Sequence, residues 1–161
     1  MLVKEIMSQP VISCRAEDRA NLAAQRMWEN DFGVVPVLDE NGRAIAMLTD
    51  RDICMAAYLQ GKPLDQIIVG SAMSKVLHSC SPEDALEHAE QLMRNFQVRR
   101  LPVVDFTGQL VGLLSLNDVA CASARKHSGH RSPSDGISSS STAHTLAGVC
   151  AHRLEEAMKL A

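Results

Sequence analysis

The sequence predicts a mixed α/β (α+β) protein made of two tandem copies of one small unit, related by pseudo-two-fold symmetry. Three observations predict this. The chain matches itself at a single offset. Each copy runs through strand-like and helix-like apolar patterns in the same order. The chain of 161 residues is 46% hydrophobic and 22% charged, enough to build an aliphatic core.

The offset is 66 residues, and it needs no gap. It lays Met7-Ser8 on Met73-Ser74, Ser13-Cys14 on Ser79-Cys80 and Glu17-Asp18 on Glu83-Asp84. It also lays Met27 on Met93, Pro36-Val37 on Pro102-Val103, Asp39 on Asp105, Gly42 on Gly108 and Asp52 on Asp118. Apolar character matches between these identities, as with Ile45 on Val111 and Ile53 on Val119. Self-similarity at a fixed period marks a duplicated structural unit.

In each copy a short strand comes first, at Val11-Ile12-Ser13 and at Val76-Leu77-His78. A helix follows. In the second copy Ser81 is its expected N-cap, with Pro82 at the first helical position and Asp84 completing a capping box. Its apolar stripe is Ala85, Leu86, Ala89, Leu92, Met93 and Phe96, answered in the first copy by Leu22, Ala23, Met27 and Phe32. Two strands joined by a turn come next. Val34 to Leu38 and Ala44 to Leu48 flank a turn ending in Asn41-Gly42, a hairpin signal. Leu101 to Val104 and Gln109 to Leu114 flank Asp105 to Gly108. A second helix closes each unit, at about 50–59 and 116–125.

This divides the chain into a first unit at 1–62 and a second at 63–125, each expected to carry a small three-stranded sheet with flanking helices. Units of roughly sixty residues bury little surface alone, so the two should pack sheet to sheet as one body. The segment 126–142 is rich in Ser, Gly, His and Pro and reads as a flexible linker. In 143–161 the positions Leu146, Val149, Cys150, Leu154, Ala157 and Met158 form the stripe of an amphipathic C-terminal helix.

The pattern resembles the CBS domain, which occurs in tandem pairs called Bateman modules. The resemblance covers about residues 1–125. It is carried by the two Met-Ser pairs, by Pro36-Val37-Leu38-Asp39 and Pro102-Val103-Val104-Asp105, and by the closing segments. Those run from Ala46 to Asp52 and from Gly112 to Asp118: a small residue, two apolar residues, Thr or Ser, two variable positions, then Asp. The resemblance implies binding of adenosine-containing molecules (AMP, ADP, ATP or S-adenosylmethionine) in clefts between the units. It also implies regulation of an attached or partner protein, and dimerisation, often as a flat disc.

The closing motif has a chemistry of its own. Thr49 and Ser115 end a strand and open a helix, whose N-terminus presents N–H groups and a positive dipole end suited to phosphate. Asp52 and Asp118 sit in the first turn, where a carboxylate accepts hydrogen bonds from a ribose diol. Thr/Ser-x-x-Asp is also a capping box, and in isolation the cap is the commoner reading. The repeat context favours a ligand for at least one corner.

The second copy carries Arg99-Arg100 where the first has Gly33-Val34, and Gly112 where the first has Ala46. In CBS domains basic residues at this place often reach phosphates, and a glycine leaves room near the backbone. The Ser115–Asp118 cleft is therefore expected to be the better anionic-nucleotide site, with Arg51 a further cation for the Thr49–Asp52 cleft. His78 falls where the family often places the base.

Composition argues against several other classes. Aromatics are 3%, too few for a base-stacking surface, and a net charge of −3 gives no attraction to nucleic acid or an anionic membrane. The five cysteines form no CxxC pair, and with no signal-like start the protein is expected to be cytoplasmic, with reduced thiols. His127, His130, His144 and His152, with Cys150, match no familiar ligand set, so no metal is expected. No nucleophile sits in a catalytic pattern. The expectation is a non-catalytic regulator acting as a homodimer on a protein target the sequence does not identify. The alternative is a structural dimerisation module with empty clefts.

Overall fold

The computed structural model describes residues 1–127, with side chains described through residue 123. The helix expected at 143–161 and most of the linker before it lie outside the described residues. The first repeat contains β1 (Cys14–Arg15), α1 (Ala20–Glu29), β2 (Val34–Leu38), β3 (Ala44–Thr49) and α2 (Asp50–Gln60). The second contains α3 (Leu86–Phe96), β4 (Arg100–Val104), β5 (Leu110–Ser115) and α4 (Leu116–His127). Helix α4 thus takes in Lys126 and His127, which the sequence assigned to the linker.

Burial repeats in the same register. Ala20, Ala23 and Met27 of α1 are buried, as are Leu86, Ala89 and Met93 of α3. Ile53 and Ala56 of α2 match Val119 and Ala122 of α4. Spacings of three, four and seven residues put these side chains on one helix face, which packs on the sheet of its own repeat.

Each sheet contains an antiparallel hairpin, β2–β3 or β4–β5, with a register shift beside the turn in both, and β1 adds a parallel strand to β2 in the first. Gly42 and Gly108 adopt φ of 79° and 84°, which a side chain would disfavour. Asp39 accepts the N–H groups of Asn41 and Arg43, and Asp105 those of Thr107 and Gln109. The Thr107 hydroxyl also donates to Asp105, and these bonds hold its carboxyl below the usual range.

The first strand of each copy lies later than the sequence suggests. It is Cys14–Arg15, parallel to β2, rather than Val11-Ile12-Ser13. In the second copy Val76-Leu77-His78 is not a strand, and the third strand shrinks to a single parallel bridge from Cys80 to Val103. The cause is burial. Cys14 and Cys80 are the residues that enter the core, 2% and 4% exposed, whereas Ile12 and Val76 are open to solvent.

The expected helix start at Ser81 is also displaced. Ser81 and Asp84 close a tight turn, with the Ser81 N–H donating to the Asp84 carboxylate at 2.8 Å, and α3 begins at Leu86. Ala85 is held extended by an antiparallel bridge to Leu2, and the Leu86 N–H donates to the Met1 carbonyl. Backbone pairing overrides the local helix signal.

That pairing belongs to an exchange of segments. The N-terminal residues pack on the second repeat: Val3 is fully buried in its core, the Val3 N–H donates to Asp84, and Ser8 pairs with Leu113. The segment after α2 packs on the first repeat in the same way. Ile67 and Val69 are buried there, the Val69 N–H donates to Asp18, and the Ser74 N–H donates to Met47. The repeats also meet at their turns, where Ala44 N–H donates to Gly108 and Gln109 Nε2 to Asn41. Among the described residues no helix is long and apolar enough to cross a membrane.

Candidate functional site

The two closing motifs fold into matching corners. At the end of β3 the Asp52 carboxylate accepts the Thr49 N–H at 2.9 Å and the Thr49 hydroxyl at 2.6 Å, while the Asp52 N–H donates to Thr49 Oγ1. At the end of β5 the Asp118 carboxylate accepts the Ser115 N–H at 2.8 Å and the Ser115 hydroxyl at 2.6 Å, and the Asp118 N–H donates back to Ser115 Oγ. Both corners are therefore capping boxes. Each also leaves Oδ1 of its aspartate outside these bonds, so a cap and a ligand contact are compatible.

The Ser115–Asp118 corner lines a cavity of about 450 Å³. Ser115, Asn117, Asp118, Leu113 and Arg100 form one wall. The other comes from the first repeat: the loop from Ser8 to Ile12, then Asn30, Asp31, Phe32 and Val34. The exchange of segments explains this composition. Ser8 is paired to β5, and the chain leaving it lines the cavity from Gln9 to Ile12 on its way to β1. Gln9 Nε2 donates to the Val111 carbonyl at 2.6 Å and holds this loop down.

Other expected residues fall elsewhere. Of the arginine pair, only Arg100 lines the cavity, while Arg99 is exposed and its carbonyl accepts the Leu116 N–H. Gly112 does not open toward a ligand. A Cβ there would press into the side chain of Met7, coming within 3.0 Å of Met7 Cγ, so the missing side chain makes room for the exchanged N-terminal segment. His78 is absent from this cavity and stacks on Phe96, with ring centroids 3.7 Å apart. In the 66-residue register His78 and Phe96 stand where Ile12 and Asn30 stand, and those two do line it. Arg51 is exposed beside Thr49 and Asp52. Gly33 lies against the Asp50 side chain, where an added Cβ would come within 2.7 Å of Asp50 Oδ2.

Asn30, Asp31 and the loop from Gln9 to Ile12 were missed by sequence reasoning. They carry no motif and reach the cavity through tertiary contacts. Among the described residues no group of three or more His, Cys, Asp or Glu could hold a metal. Cys14 and Cys80 are buried structural thiols whose pKa values are pushed up, by desolvation first, to about 11 and about 12.

The CBS domain model matches this chain twice, at residues 3–58 and 69–125. The CBS domain-containing protein YhcV of Bacillus subtilis is 40% identical over 118 residues, covering 73% of this chain and 82% of YhcV. Hypoxic response protein 1 of Mycobacterium tuberculosis is 28% identical and covers 73% of this chain and 81% of its own. A crystal structure of Hypoxic Response Protein I with two coordinated zinc ions aligns with a TM-score of 0.69, over 74% of this chain and 97% of the other. CBSX2 in complex with AMP aligns with a TM-score of 0.68 at 25% identity, over 78% of this chain and 97% of the other. With the motif, the fold and the family match in agreement over both halves, this chain belongs to the CBS domain family and carries the domain as a tandem pair.

Proposed function

We propose that the protein is a non-catalytic regulator that binds an adenosine-containing ligand, such as AMP, ADP, ATP or S-adenosylmethionine, in the Ser115–Asp118 cleft. The observation that carries this reading is the placement of that corner in a cavity walled by both repeats. Asp118 Oδ1 is available to accept from a ribose diol there, and Phe32, Val34 and Leu113 offer apolar surface for a base. The structural similarity to CBSX2 bound to AMP supports the ligand class. A ligand wedged between the repeats changes how they sit against one another, and this is the means by which a partner would sense it. The partner is a protein, reached as a homodimer through the exposed faces of α1 and α2.

The test is thermal denaturation with each of the four compounds. At about a hundred times its dissociation constant a ligand stabilises by roughly 2.7 kcal/mol. For a protein of this size that is a melting shift of about 5–10 °C. No shift with any of them at millimolar concentration rejects the reading. It would favour a structural dimerisation module instead, a role that the complete capping of both corners also permits.

A further inference from the structure

We propose that Asp31 sets the charge selectivity of the Ser115–Asp118 cleft, so that it takes adenosine derivatives with a neutral or cationic 5′ substituent in preference to adenosine phosphates. The proposal rests on the adenosine reading of the cleft. Three ionised side chains line the cavity: the carboxylates of Asp31 and Asp118 and the guanidinium of Arg100. Acid outnumbers base, and Arg100 already has a partner of its own. Arg99, the neighbouring cation, is exposed and does not line the cavity.

The helix terminus does little to redress this balance. The Leu116 N–H donates to the Arg99 carbonyl at 2.9 Å and the Asp118 N–H to Ser115 Oγ at 3.2 Å. Among the first N–H groups of α4, that of Asn117 is left for a ligand. At the matching corner the N–H groups of Asp50, Arg51 and Asp52 are all taken, by Gly33, by Asp50 itself and by Thr49. Neither helix start offers the open cradle of N–H groups that phosphate binding uses.

Asp31 is not required by the backbone. It sits just past α1 with φ of 49°, and Gln97 takes the same place after α3 with φ of 53°. An uncharged residue therefore serves the same turn in the other repeat. The Asp31 carboxylate makes no ion pair or hydrogen bond among the described residues. At the rim of the cavity it is free to repel a phosphate and to attract a sulfonium or amine. A ribose diol, which donates to Asp118, is indifferent to it.

Titration calorimetry on the full chain with 5′-methylthioadenosine, S-adenosylmethionine, AMP and ATP tests this, on the parent and on Asp31→Asn. Asparagine keeps the shape and tolerates the left-handed backbone. The parent's affinity is expected to fall from methylthioadenosine to AMP to ATP. Asp31→Asn should raise AMP affinity about three- to tenfold, as expected for one partly screened charge, and move methylthioadenosine by less than about twofold. If the parent binds AMP or ATP more tightly than methylthioadenosine, or if Asp31→Asn leaves AMP affinity unchanged, the selectivity proposal is overturned while the adenosine reading stands. Absence of binding by all four compounds overturns both. A parent that ranks AMP or ATP above methylthioadenosine overturns the proposal even if the Asp31→Asn variant does not fold.

Discussion

Asp118 holds Ser115 with one carboxylate oxygen. Its Oδ2 accepts both the Ser115 N–H and the Ser115 hydroxyl, at 2.8 Å and 2.6 Å, and Oδ1 takes part in neither bond. One side chain thus closes the start of α4 and keeps an acceptor beside the cavity. Hydrogen bonds to a charged group are worth about 1.5–3 kcal/mol, so Asp118→Ala should weaken adenosine-ligand binding about ten- to a hundredfold. The lost cap should cost about 1 kcal/mol of stability as well. Asp84→Ala is the control: Asp84 bonds the Ser81 backbone in the same manner but lies outside the cavity. Calorimetry that finds Asp118→Ala binding as tightly as the parent would reduce the corner to a cap.

The exchange of segments predicts that the N-terminus stabilises the second repeat. Val3 is fully buried among Leu86, Met93, Leu101 and Leu114 of that repeat's core. Burying a valine side chain contributes about 1.5–3 kcal/mol. Replacing Val3 with Asp should cost at least that and lower the urea midpoint. Hydrogen exchange should show the loss in α3, β4 and β5. Loss of protection confined to the first repeat would contradict the exchange.

Thiol reactivity should follow burial. Cys54 is exposed and should react with an alkylating reagent at pH 8, whereas Cys14 and Cys80 should react only on unfolding. Their raised pKa values also set a pH dependence. Below the unfolded value of 9.0 both states hold the protons, and the contribution to stability is fully present. Between pH 9 and about 11 to 12 the unfolded thiols ionise while the folded ones do not, so stability should fall. Mass spectrometry that finds Cys14 or Cys80 modified as fast as Cys54 in the native protein would refute this.

The proposed homodimer has a candidate face. Trp28 on α1 is 87% exposed and Tyr58 on α2 is 79% exposed, and Met55 and Leu59 are exposed on α2 as well. Trp28, Met27, Phe32 and Ile53 also line a groove of about 380 Å³ between the two helices. Large apolar side chains left in water at such a face favour self-association. Light scattering should give a dimer at tens of micromolar, and Trp28→Glu with Tyr58→Glu should give a monomer. A parent that scatters as a monomer would reject the dimer, and a double variant that stays dimeric would move the interface elsewhere.

What could be read from sequence is what depends on residues close together in the chain. The duplication follows from a self-match at a fixed offset, and the Gly42 and Gly108 turns, the burial stripes of the helices and the two capping boxes follow from spacings of a few residues. Even there, pairing partners shifted the outcome. Ser81 to Asp84 carries a helix-start signal, yet Leu2 and Met1 hold Ala85 and Leu86 so that α3 opens later. The long-range choices were decided only in three dimensions. Met7 fills the room at Gly112, Arg99 turns away while Arg100 stays, and Asn30 and Asp31 complete a cleft whose motif lies in the other repeat. The reason is physical. A hydrogen-bonded turn is decided by its own residues, whereas the wall of a cavity is decided by which distant segment buries its apolar side chains opposite. Here the answer was the N-terminal segment, whose Val3 crosses to the second repeat's core.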